Sequence, residues 1–101
     1  MSIGITCFTT SSIKELQDKL DLFYKKYSDV FPKRYYLSKA ALPDEIDIEI
    51  ANEFGLTPRS YFYMSVNDKT LVISTDDIAE LVKKELGKEN VVVLLNGEDL
   101  I

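Results

Sequence analysis

Few residues of this chain could carry catalytic chemistry. There is no histidine, so the commonest general base and the commonest metal ligand are both missing from the sequence. Ser-His-Asp and Cys-His catalysis are therefore excluded. The four glycines stand apart from one another, so neither a Walker pattern nor a dinucleotide-binding glycine pattern is present. An enzyme of this sequence would have to use carboxylates, lysines, tyrosines or its single thiol.

Cys7 carries that thiol, and a thiolate near a helix N-terminus or a cation is a strong nucleophile. It alternates with Ile3 and Ile5 in the stretch SIGITCF, which predicts a strand with Cys7 facing the core. There a free cysteine behaves as a small apolar side chain. We therefore expect a non-catalytic protein with no metal or cofactor site. A thiol-dependent enzyme through Cys7 is kept only as the last alternative.

Residues 44–53 (DEIDIEIANE) form the most acidic segment, with five acids and no base. Pro43 and early acids open the segment, while Gly55 and Pro58 follow it, as expected for a helix. The alternation of isoleucines with acids would also suit a strand. The end signals favour the helix.

Glutamates four residues apart would form one ridge on that helix. The ridge could bind a basic protein surface, with Ile48 beside it as an apolar anchor. The predicted partner-binding residues are Glu45, Ile48, Glu49 and Glu53.

Residues 24–39 (YKKYSDVFPKRYYLSK) form a basic and aromatic segment in an otherwise acidic chain. Lys25 and Lys26 fall in the last turn of a predicted helix, where cations complement the helix dipole. Strand parity turns Tyr35 inward and leaves its neighbour outward. The alternative anion-binding residues are Lys33, Arg34, Tyr36 and Lys39. With the hydroxyl-rich loop 9–12, they could bind an anion or a single-stranded nucleic acid.

The net charge of −5 is unevenly distributed along the chain. Residues 1–43 contain seven basic and four acidic side chains, whereas residues 44–101 contain five basic and thirteen acidic ones. This asymmetry concerns partners rather than fold. It favours a partner with a basic surface over a nucleic acid.

Periodicity and capping signals predict the elements that must position these residues. The capping-box pattern Ser12-x-x-Glu15 opens the first helix, and Asn67-Asp68 marks a hairpin. Predicted strands cover 2–8, 34–39, 61–66, 69–74 and 91–95; predicted helices cover 13–28, 43–56 and a segment that Thr75 or Asp77 caps and Gly87 ends.

The predicted fold is a single α+β domain over 1–101. It has a mixed sheet of about four to five strands and two or three helices on one face, in the approximate order β-α-β-(α)-β-β-α-β. No stretch is long and apolar enough to span a membrane, and the N-terminus lacks a signal-peptide pattern. We expect a small cytoplasmic protein that binds a macromolecular partner: an inhibitor, an immunity protein or a phage-type regulatory protein.

Overall fold

The computed structural model describes residues 4–31, 35–66, 74–96 and 99–101. These form a five-stranded sheet, three α-helices and one 3-10 turn, which confirms the α+β class. In chain order the elements are β1 Gly4–Thr9, α1 Ile13–Lys26, β2 Tyr35–Leu37, α2 Glu45–Glu53, β3 Ser60–Val66, α3 Thr75–Leu86, the 3-10 turn Lys88–Asn90, β4 Val91–Leu95 and β5 Asp99–Leu100. None of the described helices is long and apolar enough to cross a membrane.

The strands lie in the order β2-β3-β1-β4-β5, and every pairing among the described residues is antiparallel. The expectation of a mixed sheet is corrected here. Strands β1 and β2, which α1 connects, do run parallel, but β3 lies between them and pairs with both. A short chain that mixes strands with helices predicts an α+β fold, but the direction of each strand pair depends on contacts between residues far apart in the sequence.

The predicted hairpin falls mostly outside the described residues, which resume at Ser74. This residue caps α3: its hydroxyl accepts a hydrogen bond from the Asp77 N–H at 3.2 Å. Neither Thr75 nor Asp77 is the cap. Gly87, with φ +93°, ends the helix as predicted, since this backbone conformation favours glycine.

Helix α1 begins as its sequence predicts. The Glu15 N–H donates to the Ser12 hydroxyl at 3.3 Å, and the Glu15 carboxylate accepts from the Ser12 N–H at 3.4 Å. Hydrogen bonds from Ser12 hold the pKa of Glu15 below its ordinary value. The helix ends at Lys26, two residues earlier than predicted, and its buried face holds Leu16, Leu20 and Phe23.

The sheet has a core on each face, because alternate residues of β1 are buried in opposite directions. Ile5 and Cys7 face α1 and α3, whereas Phe8 faces Ala51 of α2. The prediction that the helices share one face was therefore wrong for α2. In β4 the residues Val91 to Leu94 are buried without alternation. A strand with apolar side chains on both faces must be packed on both, which requires a helix on each side of the sheet.

The Cys7 side chain is completely buried. Burial raises the pKa of its thiol well above the ordinary value, because a thiolate is poorly solvated in an apolar core. Both facts indicate a thiol shielded from solvent in the folded chain, as expected for a core cysteine.

Iodoacetamide is expected to leave Cys7 unmodified in the native protein and to alkylate it fully in guanidinium chloride. Mass spectrometry of the intact chain after a time course would measure both rates. The denatured sample is the control for reagent activity. Native labelling as fast as denatured labelling would contradict the burial of the thiol.

Candidate partner-binding surface

The acidic segment folds as a helix, α2, which decides between the two readings of its sequence. Asp44 is the N-cap: its carboxylate accepts from the Asp47 N–H at 2.9 Å. In return, the Asp47 carboxylate accepts from the Asp44 N–H at 3.2 Å. An aspartate thus takes the place that glutamate usually holds in a capping box, and Pro43 precedes it. The helix is fixed at its N-terminus by side chains of its own segment.

The three glutamates predicted to form a ridge, Glu45, Glu49 and Glu53, are all exposed. Their i,i+4 spacing on the observed helix places them along one side of it. Within the described part of the chain, none of the three forms a hydrogen bond or an ion pair. No basic residue lies in the last turn of the helix either. We call this set the acidic ridge.

Two isoleucines flank the acidic ridge, and they differ in exposure. Ile48 is half-buried, whereas the Ile46 side chain is 67% exposed. Ala51 is the fully buried residue of α2, so the helix turns the side opposite Ala51 toward solvent. Ile46 precedes Glu49 by three residues and therefore lies beside the ridge. Ile48 follows Glu45 by three residues and also lies beside the ridge, on the side nearer the buried Ala51, and its role as an anchor stays a prediction.

The alternative anion-binding corner is only partly described. Lys33 and Arg34 lie outside the described residues, while Tyr36 and Lys39 are both exposed. The predicted parity of β2 is confirmed, since Tyr35 is completely buried and Tyr36 is 49% exposed.

Tyr36 nevertheless lies on the sheet face that α2 partly covers. It pairs with Ser65, which in turn pairs with Gly4, and Gly4 shares its face with Phe8. The acidic helix packs against Phe8, so Tyr36 and α2 share one face of the sheet.

The hydroxyls of loop 9–12 are largely engaged within the chain. The Thr9 hydroxyl accepts from the Ser11 N–H at 3.2 Å, and the Ser12 hydroxyl caps α1. The Ser11 carbonyl accepts from the buried Ser60 hydroxyl at 2.6 Å. The loop therefore serves to join β1, α1 and β3.

The described residues thus form a small α+β domain with a buried thiol and an exposed acidic helix. The model of the family described as the CDI System Immunity Component matches residues 1–99. The chain belongs to this family. The expected class, a small immunity protein that acts by binding another protein, is confirmed.

One solved structure also resembles the chain. It is described as a "CdiA-CT/CdiI toxin and immunity complex from Burkholderia pseudomallei". The TM-score is 0.81 at 24% sequence identity, over 97% of this chain and 95% of that one. This likeness shows a shared fold. A comparison with curated proteins found no match.

Removing the N-cap of α2 tests how the acidic helix is held. Asp44→Ala is expected to lower the free energy of unfolding by about 1 kcal/mol, because the Asp47 N–H loses its acceptor. Asp44→Ser is the matched control, since serine also caps helices and should preserve most of the stability. Urea denaturation followed by circular dichroism would measure both. Equal stability of the alanine variant and the native chain would contradict this role of Asp44.

Proposed function

We propose that this chain neutralises a toxin of its own CDI system by binding it through the acidic ridge of α2. The observation that supports this most is the concentration of charge: residues 44–53 hold five acids and no base, and the ridge glutamates are exposed. The similar structure was determined as a toxin and immunity complex, which supports a toxin as the partner. The partner would present a basic surface, and binding would take place in the cytoplasm without any catalytic step.

The unpaired state of the ridge supports binding rather than a purely structural role. Like charges four residues apart weaken a helix by a few tenths of a kcal/mol per pair. A basic partner would relieve this repulsion on binding and would be attracted from a distance before contact. The ridge would thus contribute to the association rate and to the choice of partner.

An apolar anchor beside the charges would provide most of the short-range affinity, since charges at the rim of an interface contribute little by themselves. Ile46 suits this role because two thirds of its side chain is exposed next to the ridge. Ile48, the anchor suggested by the sequence, is half-buried and would lie at the border of the contact.

Charge reversal of the acidic ridge, Glu45→Lys with Glu49→Lys and Glu53→Lys, is expected to raise the Kd for the toxin domain of the same CDI system by at least about tenfold. The affinity of the native chain should fall as salt rises, and the variant should lose most of this dependence. Isothermal titration calorimetry at several salt concentrations would measure both effects.

A matched control has the same number of reversals at exposed acids on α1, α3 and the 3-10 turn: Asp18→Lys, Glu80→Lys and Glu89→Lys. Helices α1 and α3 cover the opposite sheet face, so this control should change the Kd less than about threefold while altering the net charge equally. Equal losses in the two variants would mean that total charge, and not the acidic ridge, governs binding.

A further inference from the structure

Helix α2 covers only part of its sheet face. The core beneath it contains Phe8, Ala51, Leu56, Val92 and Leu94, with Tyr61 packed at its border. Farther along the same face of β2 and β3, Tyr36 and Tyr63 remain 49% and 37% exposed. Tyr36 pairs with Ser65, two residues from Tyr63, so the two tyrosines occupy diagonal positions on neighbouring strands, about 7–8 Å apart along the backbone.

The Tyr63 ring is held in a defined position over β1. A Cβ atom added to Gly4 would lie 2.6 Å from the Tyr63 hydroxyl oxygen and 2.8 Å from its Cε2 atom. The ring therefore lies across the backbone of Gly4, which it buries. Gly4 does not have a positive φ, so its backbone conformation does not require glycine. The absence of a Cβ matters here because it makes room for the ring.

A tyrosine held in this way is suited to bind another protein. Its packing on the Gly4 backbone restricts the ring on one side, so less side-chain entropy would be lost on binding than for a fully free side chain. Tyrosine is also enriched among the residues that dominate interface affinity, since its ring buries a large area and its hydroxyl can remain hydrated. A purely structural role for Tyr63, as the cover of Gly4, would not explain why a second tyrosine, Tyr36, is exposed on the same sheet face.

Charge complementarity identifies the occupant. The acidic helix packs on the same sheet face as the two tyrosines, so both surfaces face the same side of the molecule. A partner attracted by the acids brings lysine and arginine side chains, which bind favourably over the face of an aromatic ring.

We propose that Tyr63, positioned by Gly4, and Tyr36 form the aromatic anchor of the toxin interface and accept a basic side chain of the toxin on their rings. This inference rests on the proposed function and adds an aromatic contact to the charged one. The tyrosines provide the short-range contact, and the acidic ridge provides the long-range attraction.

Calorimetry with the isolated toxin domain would measure the Kd of variants that remove a tyrosine ring and of variants that keep it. Tyr63→Ala and Tyr36→Ala remove a ring each, and each should raise the Kd at least about tenfold. Tyr63→Phe keeps the ring and should change the Kd less than about threefold. Gly4→Ala keeps the tyrosine but displaces its ring, so it should weaken binding nearly as much as Tyr63→Ala. Tyr24→Ala is the matched control, since Tyr24 is 40% exposed on α1 and stacks on Phe31.

Thermal melts of each variant separate folding from binding, and Tyr36→Ala on the edge strand keeps the test informative if Gly4→Ala does not fold. Unchanged affinity of Tyr36→Ala and Tyr63→Ala, with weakened binding of the ridge reversal, would overturn the anchor and leave the proposed function intact. Full affinity in Tyr36→Ala, Tyr63→Ala and the ridge reversal would contradict both the aromatic anchor and the proposed function. A loss of self-association in Tyr63→Ala with unchanged toxin affinity would make this face a contact between copies of the chain and would also overturn the proposal.

Discussion

Burial of strand β1 on both faces is the constraint on which the rest of the structure depends. The strand is hydrogen-bonded to β3 on one side and to β4 on the other, and it carries Cys7 toward one face and Phe8 toward the other. A strand buried in this way needs helices above and below it. Helices α1 and α3 cover one face, which leaves α2 for the other. Among the described helices only α2 packs on that face, and Tyr36 and Tyr63 on the same face are 49% and 37% exposed.

Helix α2 combines weak intrinsic stability with the most concentrated charge in the chain. Its acids suit the positive end of the helix dipole at the N-terminus, but Glu53 lies at the opposite end, where a negative charge is unfavourable. The reciprocal Asp44–Asp47 cap and the buried Ala51 oppose this cost. Local stability would be better with lysines among the glutamates. Residues that weaken the helix in which they lie are expected where a surface serves recognition.

The predictable features were those decided by neighbours in sequence. Ser12 and Glu15 located the start of α1, Gly87 located the end of α3, and the alternation of Tyr35 and Tyr36 assigned their faces. The order of strands was not predictable, because it depends on pairings between residues far apart in the chain, as between β1 and β4. The exposure of Ile46 in place of Ile48 and the position of Tyr63 over Gly4 depend in the same way on tertiary contacts. The acidic ridge formed as predicted, and its role in binding stays a prediction.

The separation of the two cores from the exposed side of α2 has a further consequence. The ridge glutamates and Ile46 are exposed, and substitutions at exposed positions that support no internal contact usually change stability by less than about 0.5 kcal/mol. The ridge glutamates and Ile46 could therefore change with little effect on the two cores, whereas Asp44, which caps α2, and Tyr63, which covers Gly4, could not change as freely. One fold can in this way carry many binding specificities, because specificity depends on the surface and the fold depends on the core. The fold itself is retained in a solved structure at only 24% sequence identity.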